Sequence, residues 1–258
     1  MRYARIVIGD RIAWAVVTEH GFRELTGPPH DGVDMSGATI DRSAARLIAP
    51  AAPSKIFCLG RNYAAHRSEM GFAHDGAPSV FMKPPTTIIG PGDDIVLPPA
   101  RLSEHVEHEA ELAVIIGKRA RFVGAADAWS YILGFTCAND VSARDLQRGD
   151  PHPTRGKGFD TFCPVGPWIE TDLDVASGLR LRCSVNGVLR QDASTADMTY
   201  DIPFLIEYLS GFATLLPGDL ILTGSPGGTE AIHAGDTVEV DVEGIGTLVT
   251  GVVAAKLA

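Results

Sequence analysis

Residues 104–119 read EHVEHEAELAVIIGKR, and the reading of this stretch decides the fold. Residues 112–116 form an apolar run short enough for a buried strand, and Glu109 and Glu111 stand at its entrance. Side chains alternate along a strand, so these two carboxylates point the same way. Like charges side by side at the edge of a core repel and lose hydration, which calls for a cation. A second apolar run, YILGFTCAND, ends in Asp140 and brings a third carboxylate to a strand end. Three carboxylates with no Cys or His in zinc spacing suit a hard cation, Mg²⁺ or Mn²⁺, with Ca²⁺ as a further candidate. The adjacent HVEH fits neither zinc-protease pattern, and His105 and His108 are expected at the surface.

Outward from this stretch the pattern is β-rich. RYARIVIGDRIAWAVV predicts a hairpin turning at Gly9-Asp10, and Asn186-Gly187 predicts another between LRCSV and VLRQD. Helical spacing is clearest at Ile202, Leu205, Ile206, Leu209 and Phe212. APAAPSK, residues 49–55, reads as a linker, which divides the chain into a small β-containing N-terminal domain, residues 1–52, and a larger domain, residues 53–258. The strands do not alternate with helices as in a doubly wound fold, so the fold class is α+β and β-rich.

Composition narrows the function. A net charge of −10 gives no basic footprint, which argues against nucleic acid and anionic membranes as partners. A small anionic substrate must therefore meet a local positive site. The four scattered cysteines, Cys58, Cys137, Cys163 and Cys183, read as buried thiols of a reducing cytoplasm. The N-terminus has no apolar signal region and no stretch is long enough to span a membrane, so a cytoplasmic protein is expected.

Two further clusters carry chemistry. In GRNYAAHRSEMG, His66 and Glu69 are three apart, and a carboxylate beside an imidazole orients it and raises its basicity, as a general base requires. Gly71, Gly76 and Pro78 bracket a polar stretch expected to act as a lid. In RGKGFDTFCPVGP, glycines flank Lys157 and allow close approach of a ligand.

The ordered set GRNYAAHRSEMG, FMKPPTTIIGPGDDI, HEAELAVIIGK, ANDVSARDLQ, RGKGFDTFCPVGP, VNGVLRQ and LILTGSPGG resembles the fumarylacetoacetate hydrolase family from about Lys55 onward. Seven motifs in order over some two hundred residues make a specific match. The resemblance implies a C-terminal domain built as a mixed β-sandwich roll and a homodimer. It implies Mg²⁺ or Mn²⁺ on Glu109, Glu111 and Asp140, catalytic roles for His66, Glu69 and Lys157, and substrate binding by Arg144, Gln147, Lys83 and Thr223. Two departures fall where substrate is held. Pro153 stands where the family commonly has an aromatic residue, and the family's T-G-T-P-x-G-V-G loop is TGSPGGTE here, with Ser225.

Members of this family act on 2-keto and 1,3-dicarbonyl acids. The leading expectation is a Mg²⁺-dependent enzyme cleaving a C–C bond in a small acid of this kind, by hydrolysis or decarboxylation, of acylpyruvate or oxaloacetate type. A 2-hydroxyhepta-2,4-diene-1,7-dioate isomerase of aromatic catabolism is the alternative within enzymes. A catalytically silent, metal-bound ligand-binding domain is the alternative outside them, although such a module needs no oriented base.

Overall fold

The computed structural model describes residues 1–35, 37–63 and 77–256. Its centre is the strand Ala110–Ile116, every residue of which is buried. It pairs antiparallel with Ile132–Asn139 on one side and with Leu220–Leu222 on the other. Both of its faces are covered. Leu112, Val114 and Ile116 join the core that lies against a second sheet, while Ala113 and Ile115 join a core on the opposite face. This two-sided burial is why the run is continuously apolar. Leu112, Val114, Ile115 and Ile116 each contribute about 1.5–3 kcal/mol by burial, enough together to offset several kcal/mol for burying a charge at the strand's start.

The central strand belongs to a twelve-stranded mixed sheet. Beyond Ile132–Asn139 the sheet continues through Cys163–Glu170 into the N-terminal strands Arg2–Ile8, Arg11–Val17, Gly21–Glu24 and Thr39–Asp41. Beyond Leu220–Leu222 it continues through Ile56–Gly60, paired in parallel, to Ser79–Lys83. A five-stranded sheet, in the order Val188–Ser194, Arg180–Val185, Thr237–Val242, Gly246–Ala254 and Asp94–Leu97, packs on one face and closes the larger core. The architecture is β-rich α+β, as the sequence predicts.

Local features follow their residues. The N-terminal hairpin turns at Gly9, whose φ is 56°. Asn186 and Gly187, at φ 53° and 74°, form the two left-handed positions that a tight hairpin needs. The helix Ile202–Phe212 is capped by Asp201, which accepts from the Phe204 N–H at 2.9 Å, and buries Ile202, Leu205, Ile206 and Leu209. Phe212, expected on that buried face, is 55% exposed and lies edge-on to Phe57. It ends the last turn, where the helix has passed the rim of the core.

Residues 49–55 contain no regular element, yet they are fastened. The Arg5 guanidinium donates to the carbonyls of Ala49 and Ala51, and buried Asp219 accepts from the Ser54 and Lys55 backbones and pairs with the Lys55 ammonium. Glu170, at the end of its strand, holds the N-terminal ammonium and Arg2. All four cysteines are buried and free. Among the described residues no helix is long and apolar enough to cross a membrane.

Candidate active site

Two strand ends bring the carboxylates together. Glu109 and Glu111 stand at the start of the central strand, and Asp140 follows the end of its neighbour, Ile132–Asn139. Antiparallel pairing sets Ala110 opposite Asn139, and the Asp140 N–H donates to the Glu109 carbonyl at 2.8 Å. One oxygen from each of Glu109, Glu111 and Asp140 lies within 4.8 Å of the others, and all three residues are buried.

Cationic side chains face two of the three. The Lys157 ammonium sits 2.7 Å from Glu109 Oε2 and 2.6 Å from Asp140 Oδ2. Burial opposes its charge, but Asp140 and Glu109 hold its pKa above the ordinary lysine value. The Lys83 ammonium lies 2.7 Å from Asp140 Oδ1. Arg144 reaches Glu109 Oε1 at 2.5 Å and Glu107 Oε2 at 2.6 Å. Glu111 is different: among the described residues it accepts from the Gly224 N–H at 2.6 Å and pairs with no cationic side chain. Burial first, then the charges of Asp140 and Glu109, push its pKa well above the usual carboxylate range. Four carboxylates, counting Glu107, thus stand against three cations, and the uncompensated charge falls at Glu111. This all-oxygen set suits a hard divalent cation.

Glu109 and Asp140 open into a cavity of about 380 Å³. Arg144, Gln147 and Lys157 line it, as do Arg61, Arg148, Asp150 and the two departures from the family pattern, Pro153 and Ser225. Among the described residues that line it, four cationic side chains, Arg61, Arg144, Arg148 and Lys157, exceed three acidic ones, Glu109, Asp140 and Asp150, so an acidic protein presents a local site for anions. Gln147 accepts from the Arg144 guanidinium at 2.7 Å. Lys83 and Thr223 stand behind the wall. Lys83 is engaged with Asp140 and the Val141 carbonyl, and the Thr223 hydroxyl donates to the Leu112 carbonyl. His66, Glu69 and the stretch of residues 71–76 lie outside the described residues.

The surface assignment of His108 is corrected: it is fully buried, with Nδ1 3.0 Å from Gln191 Oε1. His105 and His108 are an odd number of residues apart, so they face opposite sides, and the side that His108 faces is covered by Gln191 of the second sheet. Two residues that the sequence reading does not single out join the site. Glu107 clamps Arg144, and although burial works to raise its pKa, Arg144 carries it below the usual range. The period-two spacing of Glu107, Glu109 and Glu111 was the available signal. Gln191, on the strand Val188–Ser194, closes the VNGVLRQ motif, which marks a hairpin but does not show that this residue is buried beside the site.

The family model described as fumarylacetoacetate (FAA) hydrolase C-terminal matches residues 55–253. The chain belongs to the fumarylacetoacetate hydrolase family. A further model, Rv2993c-like N-terminal, matches residues 1–50 of this family member. The Mycobacterium tuberculosis protein Rv2993c is 47% identical over 98% of each chain. Oxaloacetate tautomerase FAHD2B of Bos taurus, a mitochondrial protein, is 42% identical over 83% of this chain and 71% of its own. Among solved structures, 5-carboxymethyl-2-hydroxymuconate delta-isomerase from Mycobacterium smegmatis superposes with a TM-score of 0.92 at 45% identity, covering 99% of this chain and 100% of its own. The chain is therefore a fumarylacetoacetate hydrolase family enzyme whose acidic triad can bind a metal.

Proposed function

We propose that this enzyme uses a divalent cation, Mg²⁺ or Mn²⁺, held by Glu109, Glu111 and Asp140, to move protons in a small anionic 2-oxo acid of the oxaloacetate class. The observation that carries the reading is the cluster of three buried carboxylates, Glu109, Glu111 and Asp140, of which Glu109 and Asp140 line a cavity whose described walls carry one more cationic than acidic side chain. When bound, the cation supplies an electrophile that polarises the oxygens of a 2-oxo acid and favours loss of a proton from the neighbouring carbon.

The side chains divide the remaining work. Arg144, fixed by Glu107 and Gln147, and Arg148 give the substrate carboxylates a positive wall. Lys157, whose charge is sustained by Asp140 and Glu109, stabilises developing negative charge and holds a proton within reach of the cavity. His66, oriented by Glu69, is proposed as the base that takes the carbon-bound proton. Names of relatives at 42–45% identity, a tautomerase and an isomerase, favour proton transfer as the reaction.

Cleavage of a C–C bond, by hydrolysis or decarboxylation, is the second reading. It is supported by a 34% identical structure from Exiguobacterium antarcticum named fumarylacetoacetate hydrolase. Three assays separate the readings, each with Mg²⁺ and with chelator: ultraviolet absorbance of enol-oxaloacetate, CO₂ release from oxaloacetate, and acylpyruvate hydrolysis. Loss of enol absorbance faster than CO₂ release, abolished by chelator, is expected. Activity undiminished by exhaustive chelation would overturn the metal-dependent reading.

A further inference from the structure

Gln191 is fully buried, and its side-chain amide touches four groups from two other parts of the chain. Oε1 lies 3.0 Å from the Ala110 N–H, at the start of the central strand, and 3.0 Å from His108 Nδ1. Nε2 lies 2.9 Å from Ser225 Oγ and 2.8 Å from the Pro226 carbonyl. The two backbone partners settle which end of the amide is which, because the Ala110 N–H can only donate and the Pro226 carbonyl can only accept.

This orientation fixes the protons on both sides. Since Oε1 only accepts, His108 Nδ1 must carry a hydrogen and donate it. Since Nε2 only donates, Ser225 Oγ must accept from Gln191, which leaves the serine's own proton for another acceptor. Among the described residues the acceptor within reach is the Pro226 carbonyl, 3.4 Å away and already served by Gln191 at 2.8 Å. On its other side Ser225 lines the active-site cavity, together with Glu109, Asp140 and Lys157.

We propose that Gln191 is a positioning residue that sets the Ser225 hydroxyl as a hydrogen-bond donor facing the cavity. The wall at Ser225 then selects a substrate bearing an acceptor there, a carboxylate or ketone oxygen, and disfavours one presenting a hydroxyl hydrogen. The consequence for turnover rests on the 2-oxo acid reading above; the direction of the hydrogen bonds does not. Gln191→Glu would invert the order, because a carboxylate accepts the serine proton it formerly directed toward the cavity.

Two measurements test this. In the unsubstituted protein, ¹⁵N NMR of the imidazoles is expected to find His108 protonated at Nδ1; a bare Nδ1 would mean the opposite amide orientation and would overturn the proposal whatever the enzyme's substrate. With oxaloacetate and Mg²⁺, Ser225→Ala is expected to raise KM about tenfold or more, the worth of one hydrogen bond to a charged group, with kcat changing less. Ser225→Thr, which keeps the hydroxyl, should restore most of the loss. Gln191→Glu should match Ser225→Ala, and the double variant should be no worse than either, since both remove the same donor. A KM for Ser225→Ala equal to that of the parent, or additive losses in the double variant, would refute the proposal. Should Gln191→Glu not fold, the His108 spectrum and the Ser225 pair still decide it. Inactivity of the parent enzyme on oxaloacetate would count against the proposed substrate class alone, with the His108 spectrum still deciding the wiring.

Discussion

At the scale of single residues, Glu111 and Lys157 are opposite cases of one electrostatic problem. Glu111 is a buried acid that pairs with no side-chain cation among the described residues, and its raised pKa means that the metal-free folded state holds a proton that the unfolded chain releases. As pH rises from the unfolded carboxylate value, about 4.3, the unfolded state binds fewer protons than the folded one, and folding stability from this group is lost. His108, whose pKa burial lowers, acts in the opposite direction as pH rises toward the ordinary histidine value. The difference between variant and parent isolates Glu111. In the presence of chelator, Glu111→Gln is expected to raise Tm over the parent by an amount that grows from pH 5 to pH 8, at about 2–4 °C per kcal/mol for a chain of this size. The same variant should lose the stabilisation that Mg²⁺ gives the parent, and a pH-independent Tm difference would contradict the assignment. Lys157 instead bridges two buried carboxylates. Lys157→Met leaves Glu109 with Arg144 alone and Asp140 with Lys83 alone, so buried negative charge is in excess, and without metal it should lose up to about 3–5 kcal/mol in urea unfolding. Saturating Mg²⁺ should recover part of that loss, and an unchanged urea midpoint would show that Glu109 and Asp140 do not need this cation.

At the scale of elements, two glycines with similar backbone angles have different meanings. Gly187 closes a hairpin at φ 74°, and a Cβ there would meet nothing within 4 Å. Gly187→Ala should therefore cost about 1 kcal/mol of stability, from backbone conformation alone, with metal affinity retained. Gly224, at φ 103°, lies where a Cβ would come 2.7 Å from Asn62 Cβ and 3.1 Å from the Leu59 carbonyl. Its N–H is the donor to Glu111. Gly224→Ala must move the loop and its N–H, so calorimetric Mg²⁺ titration should find clearly weaker binding. Equal affinity in the two variants would mean that the loop after Leu220–Leu222 does not shape the metal site.

At the scale of the whole molecule, the N-terminal strands and the sheet behind the active site are one hydrogen-bonded surface. Arg2 and Tyr3 pair with Glu170 and Ile169, and Tyr3, Val16 and Leu25 share a core with Ala113, Ile115 and Leu222. Removing residues 1–50 would bare the edge of Cys163–Glu170 and the apolar face behind it, a template for aggregation. The truncated chain is expected to be insoluble or to unfold without a cooperative transition, and the intact chain to lose tryptophan fluorescence and far-ultraviolet ellipticity together. A soluble truncated chain with the parent's Tm would refute this.

Elements whose signals are local could be read directly from the order of the residues. Period-two spacing put Glu109 and Glu111 on one side of a buried strand, Asn186-Gly187 required a tight hairpin, and the apolar spacing from Ile202 to Leu209 required a helix. The same order also marked Asp140 as a strand-end carboxylate, because an apolar run that ends in an acid reads the same in any tertiary setting. The packing of two sheets decided what no local pattern encodes. It buried His108, which the neighbouring acids and His105 made look like surface. It drew Phe212 out past the rim of the core, set Lys83 and Thr223 behind the cavity wall and not on it, and placed Gln191 eighty residues from the strand it fastens. Side-chain alternation is a property of the backbone and travels with the sequence. Burial, and the partner each buried polar group must then find, depends on which segments meet across a sheet, and here that was settled only when the chain closed on itself.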